Sequence, residues 1–186
     1  VVEVRSKPTT LEEARERRKA INEELVRLDV KDAEISEQEK IYKEQNKIEF
    51  FEPIEPYQSK ILEHIQNGKM VVTMQGANGI GKTVIGAVII GSACLAIQPW
   101  DRKDTRWGRD PVRCRILCSD WEKHAKEVVV PKLMEWMPAG EYETTKNNLG
   151  IESNFKFRNG STIELLTSKQ DTKDHEGWEG DIVWAD

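Results

Sequence analysis

The chain has 186 residues, 33% of them charged and 38% hydrophobic, with a formal net charge of −5. That length suits one ordinary domain with an extension, and its aliphatic content and six Trp exclude a wholly disordered chain. No run of about 18 apolar residues occurs, so no membrane-spanning helix is expected, and the mild acidity excludes coating of nucleic acid by bulk charge while leaving room for a local basic patch. The charged N-terminus has no apolar signal core. Cys94, Cys114 and Cys118 form neither an even disulfide set nor a CxxC pair, so an intracellular, reduced protein is the simpler expectation.

Residues 1–49 read as a helical arm, rich in Glu, Lys and Arg and without Gly. Thr10 and Glu13 have capping-box spacing. Leu11, Ala14, Ile21, Leu25 and Leu28 follow at three-four spacing, with Arg18 interrupting, and the seam fades where Asp32 and Glu39 take its next positions. One long helix or a helical pair through Ile48 is predicted, either a docking arm or a charged helix packed on its own domain.

Residues 50–186 read as the core. Phe50–Pro56 is extended and punctuated by proline. A short helix is predicted over about Tyr57 to Gln66, ended by Asn67-Gly68. Met70–Met74 reads as an apolar strand, Gly76–Thr83 as a Gly-rich turn and Lys82–Ile97 as a buried helix. After an Arg-rich stretch, Val112–Ser119 includes a second strand. A helix from Asp120 is expected to kink or break before Pro131. Asn159-Gly160 marks a hairpin between Phe155–Arg158 and Ser161–Thr167. Thr167–Gly180 is a polar loop, and Ile182–Ala185 is an apolar strand running into Asp186. Strands alternating with helices indicate an α/β fold with a largely parallel sheet.

The sharpest signal is Gly76-Ala77-Asn78-Gly79-Ile80-Gly81-Lys82-Thr83, a full match to GxxxxGK[ST]. Glycines let the backbone wrap closely enough to aim its N–H groups at phosphate oxygens. The helix that begins there adds its positive end. Lys82 is placed to reach the β- and γ-phosphates, and the Thr83 hydroxyl to ligate Mg²⁺. Hydrolysis needs a second acid on a neighbouring strand, and four apolar residues ending at Asp186 fit that pattern. Gln58 lies 18 residues before Gly76, after Tyr57. Its amide suits an adenine edge, and it equally suits bonding to local backbone.

Taken together, these residues resemble the ATPase domain of the large terminase subunit of tailed bacteriophages. The resemblance covers roughly residues 50–186. It rests on the order Glu55-Pro56-Tyr57-Gln58, Gly76–Thr83, a strand near Ile116 and the Asn159-Gly160 hairpin. It closes on Gly177-Trp178-Glu179-Gly180-Asp181 leading into Ile182–Asp186. The resemblance implies a three-layer αβα P-loop NTPase of the additional-strand, catalytic-Glu type. It implies ATP and Mg²⁺ as cofactors, and a motor that drives double-stranded DNA into a procapsid. The implied partners are the portal protein, a small terminase subunit and further copies of the chain in a ring, with no membrane, in the host cytoplasm. Lys82 and Asp186 would be catalytic, Thr83 and Asp186 would hold the metal, and Tyr57 and Gln58 would sit near adenine. The family's nuclease domain, its coupling motif and the water-polarising Glu expected after the acidic strand are not in this sequence. An N-terminal fragment of a longer protein is therefore expected, able to bind ATP with or without turnover. The phosphate loop also lacks the Arg that family members often carry, having Ala77, Asn78 and Ile80 instead.

Weaker signals remain. Trp100–Arg115 holds six basic and three acidic residues. Arg102, Lys103, Arg106 and Arg109 are candidates for DNA phosphates or for an arginine finger, against a plain solvated loop. Asp171, Asp174, His175, Glu176 and Asp181 crowd one loop without a standard metal-ligand spacing. His64 and His124 read as isolated, the Cys residues as core, and Val128, Val129, Val130, Leu133 and Met134 as packing. The rival readings are a DEAD-like helicase, a nucleotide-binding assembly module without turnover and, more distantly, a small-molecule kinase.

Overall fold

A computed structural model of the chain describes residues 11–67, 71–75, 79–97, 111–171, 173 and 176–186. The Thr10 capping box and Gly68 lie outside them. The chain divides into two units, residues 1–44 and 45–186.

In the first unit, helix α1 (Leu11–Gln45) runs unbroken for 35 residues. The single-helix expectation therefore holds over the pair. Absence of Gly and Pro explains the continuity, since nothing in the segment removes a helical hydrogen bond.

The second unit contains α2 (Tyr57–Gln66), α3 (Lys82–Leu95), α4 (Val130–Trp136) and strands β1 (Arg113–Cys118), β2 (Tyr142–Lys146), β3 (Glu152–Phe157), β4 (Thr162–Thr167) and β5 (Ile182–Ala185). The sheet order is β2-β3-β4-β1-β5. β1 pairs with β4 and with β5 in parallel, while β3 pairs with β2 and with β4 antiparallel. The architecture is mixed α/β, but the sheet is mixed where a largely parallel one was expected. The Asn159-Gly160 hairpin supplies one antiparallel pairing. β2, which the sequence reading left out, supplies the other. Its residues Tyr142-Glu-Thr-Thr-Lys146 carry a single apolar side chain, so hydropathy alone does not mark them.

Residues 71–75 correct a second expectation. Val72 and Met74 pack inward and their neighbours face out, as in a strand, yet the segment joins no ladder. The apolar period is met, and the segment is nonetheless not part of the described sheet.

The helix after β1 does not break ahead of Pro131: Val129 and Val130 both keep right-handed helical geometry, and the segment changes from π-helix over Trp121–Val129 to α-helix over Val130–Trp136. The bond from Ala125 N to Asp120 O at 2.9 Å spans five residues, as a π-turn requires. Val129, Val130 and Leu133 are buried, whereas Val128 (38%) and Met134 (40%) are exposed, so two of those five apolar residues do not pack.

One sheet face carries the core. Strand alternation aims Cys114, Ile116 and Cys118 of β1, with Ile163 and Leu165 of β4, at Ala87, Ile90 and Cys94 of α3 and Leu133 of α4. A second cluster joins Leu62 and Ile65 of α2 to Ile85, Val88 and Ile89 on the other side of α3. Buried on both sides, α3 is apolar nearly all round, which explains its composition. The three cysteines are free and buried. The Cys118 thiol is pushed up to about 12, first by burial and then by the charges of Asp186 and Asp120. Cys114 is also raised, chiefly by its hydrogen bond with Cys94.

Candidate functional site

β1, β4 and β5 are parallel, so their carboxyl ends share one edge of the sheet. In open α/β sheets that edge is where ligands bind. The start of α3 meets the same edge.

Gly79 and Gly81 hold φ of +87° and +76°, the left-handed region that glycine enters without strain. Gly81 is the residue on which α3 begins, and its carbonyl accepts the first helical bond from Ile85 N at 3.0 Å. A Cβ on Gly81 would stand 2.5 Å from Gln58 Nε2. Gln58, from α2, is 1% exposed. Its Nε2 donates to Gly81 O at 3.1 Å and its Oε1 accepts from Ile54 N at 2.9 Å. The glutamine thus bonds local backbone, tying the chain before α2 to the start of α3. Tyr57 beside it is 56% exposed. Gly76, Ala77 and Asn78 lie outside the described residues.

Thr83, in the first turn of α3, donates from Oγ1 to Asp186 at 3.1 Å to Oδ2, with Oδ1 at 3.4 Å. Residues 103 positions apart are thereby joined, and they are the two picked from sequence as a metal pair. Docking one turn further along α3 sets this distance. A Cβ on Gly86 would collide with the indole of Trp184 on β5. Thr83 and Gly86 share a helix face at i, i+3, and Trp184 and Asp186 share a strand face at i, i+2. The glycine lets α3 lie flat on the tryptophan, and the threonine then meets the aspartate. Asp186 N also donates to Leu117 O at 3.1 Å, which holds the end of β5 against β1.

His124 belongs to this cluster, which overturns its reading as an isolated residue. Its Nε2 lies 2.9 Å from Asp186 Oδ2. Ser119 N donates to its Nδ1 at 3.0 Å. A backbone N–H can only donate, so Nδ1 accepts and, in the neutral ring, Nε2 carries the proton offered to Asp186. Asp120 presents the histidine. Its carboxylate accepts from Lys123 N at 2.7 Å and from His124 N at 3.3 Å, capping the π-helix. These bonds, that from Lys123 first, lower the Asp120 pKa. In sequence, only the position of His124 six residues after the end of β1 hints at this role.

The run before β5 is anchored on β1. Asp181 N donates to Arg113 O at 2.9 Å, and Arg113 N donates to Asp181 Oδ2 at 2.8 Å. Trp178 stacks on the Arg115 guanidinium at 4.5 Å. Arg115 is buried and donates to Glu164 Oε2 at 2.6 and 3.1 Å. Trp178 therefore serves the sheet face opposite α3, and the Arg–Glu pairing cancels the charge there.

Arg102, Lys103, Arg106, Arg109, Asp174 and His175 lie outside the described residues. His64 is exposed on α2. Among the described residues no group of three His, Cys, Asp or Glu side chains could hold a metal ion alone. No helix among them is long and apolar enough to cross a membrane.

The chain matches no model of a known protein family. Comparison with curated proteins gives no match either. Function therefore rests on the chain's own residues.

A hydroxyl and a carboxylate side by side suit a hard cation with oxygen ligands. Mg²⁺ typically takes one or two protein oxygens and completes its shell with water and substrate phosphates. The Thr83–Asp186 pair fits that donor set, and needs no third acid. The start of α3 adds the positive end of a helix, with Lys82 as its first residue.

Proposed function

We propose that residues 45–186 form an ATP-binding P-loop core of the αβα type, the ATPase motor domain of a terminase-like DNA-packaging enzyme. The observation that carries the nucleotide reading is the 3.1 Å contact between Thr83 of the phosphate-loop motif and Asp186 at the end of β5. The start of α3 and the backbone of Gly79 and Gly81 bind phosphate, and Lys82 neutralises its charge. Thr83 and Asp186 hold Mg²⁺, which when bound offsets the charge of the β- and γ-oxygens. His124 fixes the Asp186 carboxylate by donating to Oδ2, and Thr83 and Asp186 together would hold the metal. Gln58 holds the loop from behind, and Tyr57 beside it remains exposed for a base.

The terminase reading rests on the resemblance and adds double-stranded DNA, a portal protein, a small subunit and a homo-oligomeric ring as partners, in a host cytoplasm. The linked anchoring of Trp178 and Asp181 on β1 supports it, because it gives the Trp-x-Gly-Asp run a job in placing the acidic strand.

The first test is MgATP binding to this chain. Ligand at about 100 times its Kd stabilises the folded state by about 2.7 kcal/mol, read as a rise in melting temperature. Lys82→Ala is expected to lose that rise while keeping its fold, and an equal rise in both proteins refutes the nucleotide site. In the intact protein, duplex DNA is expected to stimulate turnover without strand separation. Strand separation assigns the core to the helicases, and binding without any turnover assigns it to nucleotide-stabilised assembly modules.

A further inference from the structure

Every described side chain of α1 from Arg15 to Gln45 is exposed, including large apolar ones. Ile21, Leu25, Leu28 and Ile35 are 53%, 52%, 47% and 53% exposed. A helix this long with apolar residues on a heptad seam is the signature of a coiled coil. In heptad terms Ile21, Leu28, Ile35 and Tyr42 repeat every seven residues at d. Of the a positions Arg18, Leu25, Asp32 and Glu39, only Leu25 is apolar and the other three are charged.

These charged a residues select both partner and orientation. In a parallel pair of copies, a meets a. Arg18 would face Arg18, Asp32 would face Asp32 and Glu39 would face Glu39, while Glu24 at g would face Asp29 at e. Each is a like-charge contact in or beside the seam, which destabilises the pair. In an antiparallel pair, a meets d. With the two-fold centred between Leu25 and Leu28, those leucines face one another twice. Arg18 packs on Ile35 and Ile21 on Asp32, which brings Arg18 of one copy into the layer next to Asp32 of the other. At the flank, Glu24 meets Lys31 of the second copy. Every charge pair in this register is attractive, and each occurs twice by symmetry.

We infer that α1 is a self-association element, pairing antiparallel with α1 of a second copy of this chain. The inference is independent of the nucleotide site. Arg18 and Asp32 lie fourteen residues apart, about 21 Å along one helix at 1.5 Å per residue, so they cannot pair within a chain. Their coupling therefore reports the second copy alone.

The test is sedimentation equilibrium of the whole chain, from about 1 to 200 µM, a range chosen around typical affinities of specific association. A dimer is expected. Arg18→Glu and Asp32→Arg are each expected to weaken it about tenfold or more, and the double charge reversal to restore it to within about threefold. Surface charges leave the helix intact, checked by circular dichroism. Oxidation of an equimolar mixture of Ile21→Cys and Asp32→Cys chains is expected to give the mixed disulfide, the native thiols being buried. A monomer throughout the range overturns the inference. So does a dimer indifferent to the single reversals, or efficient crosslinking of Ile35→Cys with itself, since the antiparallel register centred between Leu25 and Leu28 sets residue 35 against Arg18. Lys82→Ala is expected to leave the dimer unchanged.

Discussion

Gly86→Ala probes the contact that sets the candidate site. In an ordinary helix interior the change is favourable by about 1 kcal/mol, because glycine loses more backbone freedom than alanine. Here the added methyl meets the indole of Trp184, within the distance at which something must shift. Adding a methyl to a packed contact costs about 1–3 kcal/mol. The sum is a loss of about 0–2 kcal/mol, the reverse of the helix expectation. Removing the obstacle restores it. In a Trp184→Val background, Gly86→Ala is expected to stabilise by up to about 1 kcal/mol. The coupling between the two changes is then about 1–3 kcal/mol. Urea unfolding of the four proteins measures it: with a slope of about 1–3 kcal/mol per M, 1 kcal/mol moves the midpoint by about 0.3–1 M. The methyl should also wedge α3 away from β5 and weaken Mg²⁺-dependent nucleotide binding, since Thr83 and Asp186 lie on the same two faces. If Gly86→Ala raises the midpoint equally in both backgrounds, α3 does not rest on Trp184 and the account of how Thr83 meets Asp186 fails.

Further outcomes are expected at the neighbouring residues. His124→Ala removes the donor to Asp186 and should raise the Mg²⁺ concentration needed for nucleotide binding about 10- to 100-fold. Metal-free nucleotide affinity should not change, and an unmoved Mg²⁺ titration refutes the positioning role. Gln58→Ala removes the partner of the Ile54 amide and leaves the Gly81 carbonyl with its helical bond from Ile85 N, and should cost about 1–3 kcal/mol in urea unfolding. A changed preference between ATP and GTP with unaltered stability would instead return Gln58 to the adenine. Cys118 governs the alkaline limb. Its pKa rises from 9.0 to about 12 on folding, so the unfolded chain releases its proton first, and stability intact below pH 9.0 falls as pH climbs toward about 12. Cys118→Val should flatten that fall in a series of unfolding curves, and an unchanged slope shows that other groups dominate it.

Local chemistry made much of this protein legible from its residues. α2 falls at Tyr57–Gln66 and β5 at Ile182–Ala185, both as read from apolar spacing and turn residues. The Asn159-Gly160 turn fixes its hairpin because few residues other than glycine accept φ of +89°. The GxxxxGK[ST] motif is readable for a similar reason: its glycines and its Lys-Thr pair are demanded within eight consecutive positions. That Asp186 closes the apolar strand β5 was legible because a strand that ends in an acid is a local pattern as well.

Tertiary structure decided what depends on neighbours far away in the chain. His124 carries no local mark, since its role exists only because β1 and β5 are adjacent and Asp120 caps the turn between. Gln58 is buried at 1% by the approach of α3, and nothing in its own flanks reports that approach. Residues 71–75 have the period of a strand without a ladder, because hydropathy records which side chains face inward and is silent about hydrogen-bond partners. The mixed sheet follows from the β3–β4 hairpin and from β2, whose mostly polar residues hold an edge by backbone pairing and by Tyr142 packing on Phe155 and Phe157. Gly86 is the sharpest case. In sequence it is a weak point in a helix, and in the fold it is the gap that lets Trp184 in, so that a threonine and an aspartate 103 residues apart come within 3.1 Å.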